Sequence, residues 1–186
     1  MDDQVSPPSL TGRAVSLTPL FPSDYPALYE LAISEQVSYR WRFRGGIPNY
    51  EAFVQSLYVD VLSQFVVRSE PSGAAVGHVV SYGTDFQNGY SYAGAMMRAD
   101  LQGTGSGIEA FALFVRYLFA TWNLRKVYLE VVEFNMPQFG SAIGRYVTEE
   151  GRLREHVYYQ GRLWDQYLLA LYRAQTFDIV NAILPG

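Results

Sequence analysis

Apolar and polar residues alternate in several stretches of the chain, and this period of two predicts β-strands. The stretch Arg13 to Leu20 alternates Val15 and Leu17 with polar neighbours and is predicted to form a strand. Two β-branched runs between residues 64 and 83 are separated by Glu-Pro-Ser-Gly at 70–73, a pattern typical of a hairpin. Further strands are predicted over 90–97, from Lys126 onward, and on both sides of Gln160-Gly161.

A helical period is clearest after residue 107, where apolar side chains recur at spacings of three and four. An earlier helix is predicted over 22–33, with Ser23 as its cap and Pro26 in its first turn, and a short one over 137–146. Strands outnumber helices and most are joined by short turns, so the sequence predicts an α+β fold. The predicted buried face of the long helix consists of Ile108, Phe111, Ala112, Val115, Leu118 and Phe119.

Composition indicates one soluble domain. The chain has 186 residues, of which 49% are hydrophobic and 17% charged, and no linker-like stretch divides it. We expect residues 1–173 to form the domain and residues 174–186 to form a tail or short helix. No stretch reaches the ~18 apolar residues of a membrane span, and the start of the chain is acidic where a signal peptide would be basic. We therefore expect a cytoplasmic protein that does not bind membranes.

The charge and the missing residue types exclude several kinds of chemistry. The chain contains no Cys, which excludes disulfides, thiol nucleophiles and cysteine-ligated metals. Its two His residues, His78 and His156, lie in separate predicted strands, so no metal site is expected. The net charge of −4 disfavours a nucleic acid as the main partner. No Gly-x-Ser-x-Gly sequence is present, which argues against a serine hydrolase.

A glycine-rich stretch, Leu101 to Gly107, precedes the long helix. The first N–H groups of a helix lack intrahelical partners and carry partial positive charge, so glycines there allow backbone amides to surround a phosphate. A Walker loop would need a Lys nearby, and a dinucleotide fingerprint would need glycine in place of Ile108. Gln102, Gly105 and Gly107 instead match the pattern Gln/Arg-x-x-Gly-x-Gly/Ala. The stretch therefore predicts a diphosphate site between a strand and a helix.

This pattern resembles the signature of the GCN5-related N-acetyltransferases, the GNAT superfamily. Asn135 lies where that superfamily carries a cofactor-contacting Asn, and Glu149 to Leu171 resembles the closing strands of its ribosomal-protein N-terminal acetyltransferase branch. The resemblance covers about residues 10–172. It implies a GNAT acyltransferase fold with a mixed, mostly antiparallel sheet of about six to seven strands flanked by helices. The sheet would be splayed between the strands carrying Met97 and Glu133.

The resemblance also implies acetyl-CoA as the co-substrate, without a metal. Backbone amides of Gly103 to Gly107 would hold its diphosphate, and the strand ending at Arg98 would pair with the pantetheine arm. The alternative to a diphosphate site is that these glycines only permit a tight turn between a strand and a helix. The residues that the resemblance places at the cofactor are Met96, Met97, Arg98, Gln102, Gly103, Thr104, Gly105, Ser106, Gly107 and Asn135.

Acyl transfer to an amine requires a group that takes the amine proton and a group that protonates the departing thiolate. The superfamily often uses a Glu and a Tyr, but this chain has Tyr92 and Ala142 at those positions. We choose Glu133 as the catalytic carboxylate because it lies near the predicted strand end, and Ser141 as the group that assists at sulfur. A surface Glu and a small packing Ser are the structural alternatives.

Arginines and aromatic residues alternate over Ser38 to Gly46, and an extended conformation would place Arg40, Arg42 and Arg44 on one face. Such interleaving also occurs in proteins that bind single-stranded nucleic acid, which the negative net charge disfavours. In the superfamily this region borders the acceptor. The resemblance therefore implies that Arg40, Arg42 and Tyr92 bind the substrate.

The sequence thus predicts transfer of an acetyl group from acetyl-CoA to a primary amine by direct attack in a ternary complex. The acceptor would be a small-molecule or peptide amine, with a protein N-terminus, an amino acid and a small-molecule amine left as alternatives, and the Tyr-rich last strands could support a homodimer. Two alternatives stay open. One is an acyltransferase with a longer acyl-CoA or an acyl-carrier-protein donor, and the other is an acyl-CoA-binding module without catalysis.

Overall fold

The computed structural model describes residues 10–140, 142–176, 180 and 184. Within these residues the chain forms seven strands and three α-helices, and no helix is long and apolar enough to cross a lipid bilayer. Helices α1, α2 and α3 span Tyr25–Ile33, Tyr50–Ser56 and Ser106–Thr121. Strands β1 to β7 span Val15–Thr18, Val61–Ser69, Ala75–Asp85, Tyr90–Met97, Lys126–Val132, Thr148–Tyr159 and Arg162–Tyr172.

The strands form one sheet in the order β1-β2-β3-β4-β5-β7-β6. All neighbours are antiparallel except β4 and β5, whose parallel pairing is limited to Tyr90–Tyr92 against Lys126–Tyr128. Beyond this point β4 stays paired with β3 up to Met97, while β5 stays paired with β7 up to Val132. The two strands therefore diverge after Tyr92. The predicted α+β class, the number of strands and the splay are confirmed.

Helix α3 packs its apolar side on one face of the sheet. Its Leu113 and Phe114 are fully buried against strand residues that include Val79 and Val127. Burying side chains of this size contributes about 1.5–3 kcal/mol each. The expectation for Ile108 is wrong, because this residue is 59% exposed.

Glu109, rather than Ile108, occupies the buried side of the first turn of α3. Its carboxylate accepts hydrogen bonds from the Arg13 N–H at 2.7 Å and the Ala14 N–H at 2.9 Å. A buried carboxylate is stabilised by such bonds to backbone donors. This residue therefore ties the segment before β1 to the start of the helix.

The opposite face of the sheet is covered by α1, α2 and the segment between them. Leu28, Phe53 and Trp41 pack there with Val80 and Met96 in a second core. Gly94 of β4 faces this indole, and a Cβ at that position would lie 3.4 Å from Trp41 Cζ3, an ordinary contact distance. The sheet is thus buried on both faces where β2, β3 and β4 run.

Two local predictions differ from the structure. Ser23 lies inside a 3-10 turn, Pro22–Asp24, and it is the Asp24 carboxylate that accepts a bond from the Phe21 N–H at 3.1 Å. The strand that begins at Lys126 ends at Val132, and Glu133–Phe139 is a 3-10 helix. After β7 ends at Tyr172, residues 173–176 are helical. The rest of the predicted 174–186 tail, apart from residues 180 and 184, lies outside the described residues.

Candidate functional site

The loop between β4 and α3 contains two glycines in the left-handed backbone region. Gly103 has a φ of +77° and Gly105 a φ of +87°, and a Cβ on either residue would meet open space. This conformation costs a residue with a side chain about 1–2 kcal/mol. The backbone path therefore favours glycine, which leaves the outer side of the loop clear of side chains.

Three backbone amides of this loop have no hydrogen-bond acceptor in the part of the chain that the structure describes. They belong to Gly103, Gly105 and Gly107, whereas the Thr104 N–H donates to Leu101 O and the Ser106 N–H to Thr104 Oγ1, both at 3.3 Å. These donors lie at the positive end of the dipole of a 16-residue helix. The loop can consequently bind an anion such as a diphosphate.

The free edge of β4 faces the gap between the splayed strands. The Arg98 N–H donates to Val76 O of the neighbouring segment at 2.8 Å. Because successive backbone groups of a strand point to opposite sides, the N–H groups of Met97 and Ala95 point toward the gap. The Arg98 amide is therefore used inside the sheet, and its side chain pairs with Asp100 at 2.6 Å.

Asn135 lies on the 3-10 helix Glu133–Phe139, at the open end of β5. Its Oδ1 atom is buried and accepts no hydrogen bond from any described residue. Buried polar atoms nearly always have a partner. This buried amide oxygen is therefore free to accept a hydrogen bond at this edge of the gap.

Glu130 of β5 lies just beyond the point where the strands diverge, on the sheet face that α1 and α2 cover. Its Oε1 accepts a bond from Gln166 Nε2 at 2.9 Å and its Oε2 from the Tyr82 hydroxyl at 3.3 Å. Arg44 Nη2 in turn donates to Gln166 Oε1 at 3.2 Å. Since Tyr82 belongs to β3, its bond to Glu130 passes over β4. We call these four residues the Glu130 network.

Electrostatics keep the Tyr82 hydroxyl protonated. Burial, together with the charge of Glu130, raises the pKa of Tyr82 to about 12. The Tyr82 hydroxyl therefore stays protonated at neutral pH and can donate to the carboxylate. Tyr92, the predicted acceptor-binding residue, stacks on Tyr82 with 5.7 Å between ring centroids.

The predicted catalytic residues are not part of this network. Glu133 is exposed and lies one residue beyond β5, where its charge acts on Arg152. No described residue donates a hydrogen bond to the Glu133 carboxylate. Ser141 lies outside the described residues. Sequence reasoning missed Glu130, because an acid between Leu129 and Val131 has the pattern of an ordinary solvent-facing strand residue until its tertiary partners are known.

The arginine-rich stretch does not adopt the extended conformation considered above. Ser38–Arg40 is a 3-10 turn and the following residues form further turns, so the guanidinium groups diverge. Arg40 lies beside the glycine loop, and Arg44 is part of the Glu130 network. The bonds are Arg40 Nη1 to Gln102 Oε1 at 3.2 Å, Arg42 Nη1 to Ser56 O at 2.6 Å, and Arg44 Nη2 to Gln166 Oε1 at 3.2 Å.

His78 is a buried sheet residue rather than a base. Its Nε2 lies 2.9 Å from Gln64 Oε1, and burial lowers its pKa to about 3, so the ring is neutral. Among the described residues, no group of three His, Cys, Asp or Glu side chains could hold a metal ion.

Solved structures with the same fold carry acetyltransferase names. Spermidine N-acetyltransferase from Vibrio cholerae, in complex with CoA and spermine, matches with a TM-score of 0.76 and 19% identity, over 88% of this chain and 98% of that chain. A probable GNAT-family acetyltransferase from Chromobacterium violaceum matches with a TM-score of 0.73 and 21% identity, over 94% of this chain and 90% of that chain. A GNAT-family acetyltransferase from Bacillus anthracis matches with a TM-score of 0.71 and 18% identity, over 88% and 97%. No protein-family model and no curated protein matches the chain.

The chain therefore has the fold of the GNAT acetyltransferases. At identities of 18 to 21% these neighbours define the fold alone. The resemblance to the ribosomal-protein branch stays a prediction.

Proposed function

We propose that this protein is an N-acetyltransferase that moves an acetyl group from acetyl-CoA to a primary amine. The observation that carries the proposal is the row of unpaired amides at Gly103, Gly105 and Gly107, at the head of α3 and beside the splayed strands. Free amides at a helix start suit the diphosphate of CoA. The clear space outside Gly105 and the unpaired Asn135 Oδ1 also fit such a ligand.

Each part of the gap has a proposed task. The glycine loop binds the diphosphate, and the amides of Met97 and Ala95 on the free edge of β4 bind the pantetheine arm. Acetyl-CoA supplies a thioester whose carbonyl carbon is attacked by the neutral amine. The new C–N bond replaces the C–S bond in a ternary complex, and the products are an amide and free CoA.

Glu130 is the carboxylate that we propose for the amine proton, in place of Glu133. It lies at the vertex of the splay and is held by Gln166 and Tyr82. A positioned base of this kind contributes about 100- to 10,000-fold to a rate. Protonation of the departing thiolate by Ser141 stays a prediction.

The assay follows the release of CoA with a thiol-reactive chromophore. The chain has no Cys, so the protein itself does not react. Glu130→Gln is expected to lower kcat by about 100-fold or more. Glu133→Gln, the matched control with the same charge change on a side chain outside the network, should stay within about 3-fold of wild type. Calorimetric Kd values for CoA should be unchanged in both variants.

The outcomes separate the proposal from its alternatives. Turnover with longer acyl-CoA donors but not with acetyl-CoA would support the acyltransferase with a different donor. Binding of acetyl-CoA without thiol release, against a broad amine panel, would support a sensor module. Stabilisation by NAD and not by CoA would overturn the assignment altogether. A homodimer and a cytoplasmic location stay predictions.

A further inference from the structure

Gln166 of β7 connects a cation to the carboxylate of the Glu130 network. Its side chain is buried, and both ends of its amide are bonded. Arg44 Nη2 donates to Gln166 Oε1 at 3.2 Å, and Gln166 Nε2 donates to Glu130 Oε1 at 2.9 Å. The hydrogen bonds thus lead from Arg44 to Glu130 through one buried amide.

The chemistry of the two neighbours allows only one orientation of this amide. A guanidinium group has donors and no acceptor, whereas an ionised carboxylate has acceptors and no donor. A reversed amide would direct its NH2 group at Arg44 and its oxygen at the Glu130 carboxylate, so both bonds would be lost. Hydrogen bonds to ionised groups are about twice as strong as neutral ones, which makes the observed orientation strongly preferred.

The amide orientation and the protonation state of Glu130 depend on each other. In the observed orientation, Gln166 presents an N–H to the carboxyl group, which favours the ionised form. In the reversed orientation, the amide oxygen would favour a protonated carboxyl group that donates to it. The Tyr82 hydroxyl does not choose between these states, because a hydroxyl both donates and accepts. Arg44 is thus the group that gives the bonds their direction.

The other charged and titratable side chains around Glu130 do not take this role. Burial raises the pKa of both nearby tyrosines, to about 12 for Tyr82, so their hydroxyls keep their protons at neutral pH. The Lys126 ammonium pairs with Glu150 at 2.7 Å, and the Arg42 guanidinium donates to a backbone carbonyl. The complete set is Tyr82 from β3, Tyr92 from β4, Arg42 and Arg44 from the segment between α1 and α2, and Lys126 from the same face of β5.

We propose that Arg44 is a positioning residue that fixes the Gln166 amide and thereby holds Glu130 in its proton-accepting form. The inference rests on the proposed function, because it concerns the carboxylate that receives the amine proton there. Arg44 acts through another side chain and touches neither acetyl-CoA nor the reacting amine. Its loss should therefore change kcat and the pH dependence of kcat rather than the KM of either substrate.

Two replacements of Arg44 separate its charge from its backbone. Arg44 has a φ of +49°, and Met and Lys are both unbranched, so the two variants share the cost of this left-handed conformation. On the acid limb of the kcat profile, Arg44→Met should lower kcat by about 10-fold and move the limb upward by about one pH unit. At high pH, where Glu130 ionises in every variant, the loss should shrink to about 3-fold or less.

The controls keep either the charge or the network. Arg44→Lys retains a donor-only cation and should stay within about 3-fold of wild type at every pH. Arg154→Met removes an exposed arginine of β6, outside the network, and should change kcat by less than about 2-fold. An acid limb that stays in place in Arg44→Met would overturn the inference while the acetyltransferase stands.

A double-mutant cycle tests the path through Gln166. Gln166→Met replaces the amide with an apolar side chain of similar size and breaks both bonds. Because Arg44 acts through this amide, adding Arg44→Met to Gln166→Met should change kcat by less than about 2-fold. Losses that multiply in the double variant would overturn the path. A higher KM for the amine with an unchanged kcat in Arg44→Met would also overturn it, since Arg44 would then bind the acceptor directly.

An NMR titration gives a readout that needs no turnover. In protein labelled at the side-chain carboxyl carbons of glutamate, the Glu130 signal is the one that Glu130→Gln removes. Its titration midpoint should be higher by about one pH unit in Arg44→Met and close to wild type in Arg44→Lys and Arg154→Met. An unchanged midpoint in Arg44→Met would overturn the inference. A raised midpoint in a protein that acetylates no amine would instead overturn the proposed function and retain the role of Arg44 at this carboxylate.

Discussion

Replacing Gly105 separates a backbone requirement for folding from a requirement for ligand binding. Gly105 has a φ of +87° and Gly73 a φ of +70°, and a Cβ at either position would touch nothing within 4 Å. Alanine at either site should therefore cost about the same, roughly 1–2 kcal/mol of folding free energy. Gly73 lies in the β2–β3 turn, away from the glycine loop, so G73A is the matched control for G105A.

The two variants should differ in CoA binding. An alanine methyl at position 105 lies beside the unpaired amides of Gly103 and Gly107, where it blocks approach of the diphosphate. Hydrogen bonds to a charged group contribute about 1.5–3 kcal/mol each, so loss of one raises Kd by about 10- to 100-fold. At a CoA concentration of 100 times the wild-type Kd, ligand stabilisation falls from about 2.7 to about 0.9 kcal/mol for a 30-fold loss.

Thermal unfolding with and without CoA measures this difference. For a chain of 186 residues, 1 kcal/mol corresponds to about 2–4 °C. The CoA-dependent rise in Tm should be about 5–10 °C in wild type and G73A, and about 2–3 °C in G105A. Without CoA, both variants should melt at nearly the same temperature. A full CoA shift in G105A would refute the reasoning, because a diphosphate held by these amides cannot tolerate a methyl group there.

Three further predictions concern stability, each measured as the free energy of unfolding in urea. Burial alone would raise the pKa of Glu150, but bonds that include one from Lys126 lower it from 4.5 to about 2. The contribution of this carboxylate to stability is therefore complete above about pH 5 and is lost as the pH falls toward 2. Glu150→Gln should cost about 1–2 kcal/mol at pH 7, after allowance for solvent screening, and much less near pH 2. An equal cost at both pH values would contradict this. Glu109→Ala leaves two backbone donors without their carboxylate and should cost about 2–4 kcal/mol, and a neutral result would show that water replaces the carboxylate freely. Leu113→Ala should cost about 2–5 kcal/mol because the side chain is fully buried, whereas Leu163→Ala, at a residue 50% exposed, should stay within about 0.5 kcal/mol; similar losses in the two would contradict the packing.

Features that depend on neighbours along the chain were predictable. The hairpin at residues 70–73, strand β4 and the long helix follow from local periodicity and turn residues. The glycine loop follows as well, because the left-handed φ values of Gly103 and Gly105 are a property of the local backbone. For these elements, the residues that form the structure are the same residues whose pattern predicts it.

The arrangement of the candidate site was decided by tertiary structure alone. Glu130 becomes distinctive only when Gln166 and Tyr82, 36 and 48 residues away along the chain, donate to its two oxygens. The three arginines also diverge because the backbone turns between them. Periodicity specifies which residues are buried within one element, and it contains no information about which side chains of separate elements meet. Contacts between side chains of separate elements depend on the strand order and on the register between strands, which the packing of the whole chain determines.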